Sequence, residues 1–187
     1  MPDSEKQQLL RALHEGRVAL GEPLVGLDEG LAVLKPAAGG WSILECMEHM
    51  VHSEQYLLSR LRIATRIAQP QQNPTREARI AARAADRTRP IDAPPVVHPY
   101  GRFTTLAEAL AAFDSTRDEV MHYLESFSDD LRCWVTDHPL IPGPVTCYET
   151  LGMMAAHPKR HAQQIIAIRE AVEKESSPGR SALRIDS

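Results

Sequence analysis

The sequence has no C-x-x-C pair. Its three cysteines, Cys46, Cys133 and Cys147, stand far apart, which suggests neither a disulfide framework nor a zinc ribbon and reads as reduced thiols packed as small apolar groups. No apolar run approaches the length of about 18 residues needed to cross a bilayer. The start, MPDSEKQQLL, lacks the basic and apolar stretches of a signal peptide, so a cytoplasmic protein with no membrane partner is expected. There is no basic field either: the net charge is -4 and Lys and Arg are scattered among acids, which argues against nucleic acid as a partner. No G-x-S-x-G elbow, phosphate loop or dinucleotide fingerprint is present, and no internal repeat or strong strand signal appears.

What is there is an ordinary globular composition, 43% hydrophobic and 25% charged over 187 residues, enough for one domain with a sizeable core. Residues 4–20 read as a first helix, with Leu9, Leu10, Leu13, Val18 and Leu20 among charges and Gly21 and Pro23 closing it. A short apolar stretch over 24–34 follows, then the flexible A-A-G-G. Ser42-x-x-Glu45 is a capping box that starts a second helix at about Ile43. Its apolar side (Ile43, Leu44, Met47, Met50, Val51, Leu57, Leu58, Leu61) carries it to about Ile67, where Gln69-Pro70 stops it.

Residues 69–100, rich in Pro, Arg and Ala, read as a long connection over the surface with at most a short helix near 76–87. Their arginines suit an anion site or a solvated face. Thr105-x-x-Glu108 caps a third helix that reaches Ser128. DHPLIPGPVT, 137–146, with three prolines and a glycine, reads as a loop. The fourth helix spans about Cys147 to Ala171. The pattern predicts an all-α protein, a four-helix bundle in one domain over 1–172, followed by a polar, mobile tail over 173–187.

The chemistry lies among eight histidines. His157 and His161, four apart on the last helix, project from one face and can reach a single ion. They fall among Met153, Met154, Ile165 and Ile168, with Gln164 between them, on the stripe that should be buried. A buried polar group without a partner costs about 1–3 kcal/mol, so the cluster must be satisfied. Metal ligation does this, and so does a hydrogen-bonded pair with no metal.

His49 lies seven residues beyond the Ser42 cap, on the flank of the second helix with Cys46 and Tyr56. Glu54 falls in the middle of the apolar side, where a charge must be paired. It can orient a ligating histidine or form a salt bridge. His52 is expected on the solvated side, and His14, His98, His122 and His138 read as solvated or structural.

Three blocks resemble the DinB-like family, which includes thiol-dependent S-transferases of the bacillithiol and mycothiol type. The first, Gly40-Trp41-Ser42-Ile43-Leu44-Glu45 with His49 and Glu54, is similar to the family's W-S-x-x-E-x-x-x-H block. The second is the stretch from Ala93 to Arg117. The third is HPLIPGPVTCYETLGMMAAHPKRHAQQI, with its H-x-x-x-H-x-x-Q pattern. The resemblance covers residues 5 to 172. It implies an up-down-down-up four-helix bundle, often a homodimer, holding one divalent metal ion, zinc or nickel, on His49, His157 and His161, with Glu54 and Gln164 as supporting groups.

Three imidazoles would leave coordination positions open, the arrangement of a catalytic site. The activity implied is transfer of a low-molecular-weight thiol to an electrophile. A metal-dependent hydrolase and a non-enzymatic binding module with a structural histidine cluster stand as alternatives, and no catalytic residue beyond the ligands is identified. Pro158 departs from the family pattern. A proline there removes the hydrogen bond to the Met154 carbonyl, so the helix is expected to kink or restart between the two histidines.

Overall fold

The structure, a computed structural model, describes residues 1–176. Four long helices form the bundle: α1 (Asp3–Gly21), α3 (Ile43–Arg62), α5 (Leu106–Ser126) and α6 (Cys147–Ser176). α1 packs on α6 and α5, and α3 on α5 and α6. A single turn, α2 (Glu29–Ala32), lies between α1 and α3. Both predicted capping boxes form: the Ser42 hydroxyl accepts from Glu45 N–H while the Glu45 carboxylate accepts from Ser42 N–H, and Thr105 and Glu108 do the same for α5. A third box starts α6, where Thr146 and Glu149 satisfy each other's N–H groups at 2.9 and 3.1 Å. Its Thr-x-x-Glu signature stands in the sequence.

Three expectations change. The second helix stops at Arg62 rather than Ile67, because Thr65–Arg66 becomes β1 and pairs with Val135 and Trp134. The Pro-rich segment expected as a loop is a hairpin, β2 (Trp134–His138) and β3 (Ile141–Thr146), in a three-stranded sheet ordered β1-β2-β3. Proline cannot donate to a ladder, but β3 is the edge strand, and its partners with β2 are Ile141, Val145 and Thr146, so Pro142 and Pro144 break no bond. The connection between α3 and α5 is not a surface excursion. It contains α4 (Pro74–Ala85), started by the Asn73 side chain on Arg76 N–H at 3.0 Å, and α4 packs along α6. Ile80 is buried there, and Arg76 binds Glu149 through both carboxylate oxygens at 2.7 and 2.8 Å.

α6 runs past the expected end, so residues 173–176 are helical; the rest of the expected tail lies outside the described residues. Among the described residues no helix is long and apolar enough to cross a membrane.

The core is two apolar clusters with a polar layer between them. One gathers Leu20, Ile43, Met47, Met50, Phe113 and Ile165; the other gathers Leu13, Leu57, Leu61, Val120, Leu124, Leu151 and Met154. Each such buried side chain contributes about 1.5–3 kcal/mol. On every long helix the residues between the clusters are the unusual ones: Gly16 on α1, Glu54 on α3, Arg117 on α5, and His157 and His161 on α6. The sequence places polar chemistry at the middle of the bundle, and the apolar clusters above and below hold it there.

Candidate metal centre

α3 supplies His49, and α6 supplies His157 and His161. Their ring centroids are 4.4 Å apart for the α6 pair, and 4.9 and 5.6 Å from His49 to His161 and His157. One nitrogen from each lies within 4.8 Å of the others, and the α6 pair meets Nε2 to Nε2 at 2.8 Å. His49 and His161 are each only 4% exposed, while His157 is half-buried.

The outer nitrogens are engaged. His49 Nδ1 donates to the Val97 carbonyl at 2.9 Å, which leaves Nε2 unprotonated as the acceptor nitrogen, 3.4 Å from the Ser53 hydroxyl. His161 Nδ1 lies 3.4 Å from Cys46 Sγ. Burial pushes the His49 imidazole down to about 4 and the His157 imidazole to about 3, and His161 lies well below its ordinary value for the same reason; the other two histidines and Arg160 add repulsion. All three rings are therefore neutral at pH 7, the form that ligates a metal.

This donor set fits a divalent ion. Nitrogens bound about 2.1 Å from one tetrahedral ion lie about 3.4 Å apart, and the separations seen here straddle that value. Neutral imidazole suits zinc or nickel. Burial raises the Cys46 thiol to about 12, so it is protonated in the metal-free protein.

The proline does not part the pair. α6 continues through Pro158, and two neighbours accommodate it. The Met154 carbonyl, which loses its helical donor to Pro158, accepts from an Arg117 Nη2 at 3.0 Å. Gly16 lets α1 come against the same turn, where a Cβ would run into the Ala155 carbonyl oxygen and touch the Pro158 ring.

Glu54 is corrected from the supporting role expected for it. Its carboxylate binds Arg117 at 2.8 Å, with both side chains almost wholly buried, so it is the salt-bridge alternative that holds. Burial still raises the Glu54 carboxyl above its ordinary value, with Arg117 opposing. Gln164 does stand at the site, half-buried and lining the same cavity as His161.

Two further residues matter that sequence reasoning missed or misplaced. Glu48, 1% exposed, accepts from the backbone N–H groups of Tyr100, Gly101 and Arg102 at 2.7–3.2 Å. His52, expected in solvent, is buried: its Nδ1 lies 3.1 Å from the His98 carbonyl oxygen and its ring stacks on Tyr100. Together they bind the 97–102 segment to α3, which is what brings Val97 to His49. The only sequence signal was a Glu and a His four apart, sharing a helix face that nothing local required to be covered.

The histidines form the floor of a cavity of about 1340 Å³. One wall is α4 and the segment after it, with Arg79, Arg83, Arg87 and Arg89, joined by Arg160 from α6; the hairpin turn from His138 to Pro142 forms another, and Trp41 lies beside the histidines. His98 and His138 line the cavity as well, whereas His14 and His122 are exposed or half-exposed elsewhere.

Residues 12–165 match the family model of the DinB superfamily. A protein of Bacillus subtilis (strain 168), the uncharacterized protein YuaE, is 24% identical over 165 residues, which cover 86% of this chain and 97% of that one. Among solved structures, YfiT from Bacillus subtilis, described as a probable metal-dependent hydrolase with an unusual four-helix bundle topology, superposes with a TM-score of 0.57 at 15% identity, over 91% of this chain and 89% of that one. At that identity the likeness is one of fold.

Proposed function

Since the chain belongs to the DinB superfamily, we propose that it is a metal-dependent enzyme in which His49, His157 and His161 hold one divalent ion, zinc or nickel, at the floor of the cavity. The observation that carries this is the convergence of three neutral imidazole nitrogens, two from buried and one from a half-buried ring, within 4.8 Å of one another, with open space on one side. A buried histidine cluster in a purely structural core would close over itself. Here the two clusters of core side chains stop short and the nitrogens face the cavity.

An ion so held would lower the pKa of a thiol or water and supply a nucleophile at neutral pH. The chain's own residues do the rest. Val97 O, through Nδ1–H, keeps the His49 lone pair on Nε2 and aimed inward. Arg117 keeps α6 unbroken so that the His157 ring meets His161. The nucleophile favoured is a low-molecular-weight thiol, as the family resemblance implies; hydrolysis is the second reading, favoured by the likeness to YfiT.

Elemental analysis of the purified protein beside His161→Ala tests the site: near-stoichiometric zinc or nickel that disappears in the variant supports it. Metal in neither protein after soaking overturns it. Thiol consumption with a chlorinated or epoxide electrophile, set against ester hydrolysis without thiol, then separates the two reactions.

A further inference from the structure

One wall of the cavity that holds the histidines is a run of guanidinium groups. Arg76, Arg79 and Arg83 recur on α4 at three- and four-residue spacing, Arg87 follows four residues after Arg83, and Arg89 and Arg160 complete the wall. Like charges four apart on a helix repel, at about 0.2–0.5 kcal/mol per pair. Only part of this charge is balanced. Arg76 is neutralised by Glu149, and Asp86 lies 3.7 Å from Arg83 but is also tied to Thr88. Asp92 lines the same cavity.

Arg160, 8% exposed, donates to the backbone carbonyls of Asp86 and Arg89, and Arg83 donates to those of Arg89 and Pro90. These carbonyls fix where the groups stand and leave their charge in place. Among the described residues no carboxylate pairs with Arg79, Arg87, Arg89 or Arg160. Arg160 precedes His161 directly, so the uncompensated charge begins at the edge of the metal centre.

We infer that the wall formed by Arg79, Arg83, Arg87 and Arg160 is a subsite for an anionic group, a carboxylate or phosphate, on a small-molecule substrate whose reactive end reaches the histidine floor. This rests on the catalytic reading of that floor. A planar guanidinium pairs with either oxyanion through two hydrogen bonds, and a concave wall of net positive charge concentrates anions before they bind. The cavity exceeds the volume of about 300–1,000 Å³ typical of small-ligand sites, so it has room for a molecule that spans both parts. A solvated helix face would spread such charges over a convex surface; here they line the same concavity as the ligands.

Metal-stripped protein is titrated by calorimetry at low salt with succinate, with inorganic phosphate and with uncharged succinamide. At least one anion is expected to bind about tenfold more tightly than succinamide, and the tighter one names the oxyanion. Arg79→Gln/Arg87→Gln, two exposed side chains that form no ion pair among the described residues, is expected to lose about fivefold or more of that affinity while keeping its melting temperature. Anions binding no better than succinamide, or equally well in the double variant, would overturn the subsite. Because no metal is present, failure here leaves the metal proposal standing, and failure of metal retention leaves this result unaffected.

Discussion

Replacing Arg117 with methionine removes the cation from the polar layer while keeping an apolar stem of similar length. The guanidinium is wholly buried and donates to the Glu54 carboxylate at 2.8 Å, the Leu13 carbonyl at 2.9 Å and the Met154 carbonyl at 3.0 Å. Leu13 keeps its helical donor, but Met154 cannot, because Pro158 has no N–H. That bare carbonyl costs about 1–3 kcal/mol, and breaking a buried ion pair costs about 3–5 kcal/mol in all. A loss of about 4 kcal/mol is expected, a melting temperature lower by about 8–16 °C for a chain of this size.

The loss has a pH signature. Without Arg117, burial acts on Glu54 with only the weaker attraction of Arg17 opposing it, so its folded carboxyl lies further above the unfolded value of 4.5. The folded variant then carries a proton that the unfolded chain lacks, and its stability falls as pH rises through that window, by up to about 1.4 kcal/mol per unit. Urea unfolding of metal-free wild type and Arg117→Met at pH 5 and pH 8 measures the difference, in which other titrating groups cancel. The gap is expected to narrow at pH 5, and Arg117→Met/Glu54→Leu should recover part of the loss but not the part due to Met154. A cost below about 1 kcal/mol at pH 8, or one equal at both pH values, refutes the reasoning.

The buried histidines make an opposite demand. In the metal-free protein His49 titrates at about 4 and His157 at about 3, against 6.5 when unfolded, so stability is full above about 6.5 and is lost as pH falls toward 4. Each histidine that stays neutral accounts for about 2 kcal/mol between pH 7 and 5; urea midpoints that do not move over that range would contradict it. Gly16→Ala gains about 1 kcal/mol of helix propensity but drives a methyl into the backbone of Ala155, at about 1–3 kcal/mol. A lower melting temperature and weaker metal retention are expected, since the displaced turn carries His157, and a variant more stable than wild type would count against the packing described.

The four helices, two of their caps and the histidine cluster were legible in the chain because each is a local pattern: apolar residues at helical spacing, Ser-x-x-Glu and Thr-x-x-Glu boxes, and two histidines four apart beside a family block. What the sequence could not determine depends on residues distant in the chain. The strands over 134–146 exist because β2 has β1 on one side and leaves the prolines on an open edge, which the prolines themselves do not announce. Glu54 and His49 share α3 and looked like partners. Their neighbours, Arg117 and Val97, come from a different helix and from a loop, and only packing assigns them. The proline between the two α6 histidines reads locally as a break. It is tolerated because an arginine 41 residues earlier in the chain takes the orphaned carbonyl and a glycine on α1 makes room. The arginines of α4 have the composition of a solvated face until α4 is laid along α6. Helical periodicity fixes which residues share a side, whereas the partner that meets that side is chosen by the fold, because burial and ion pairing depend on distance in space rather than along the chain.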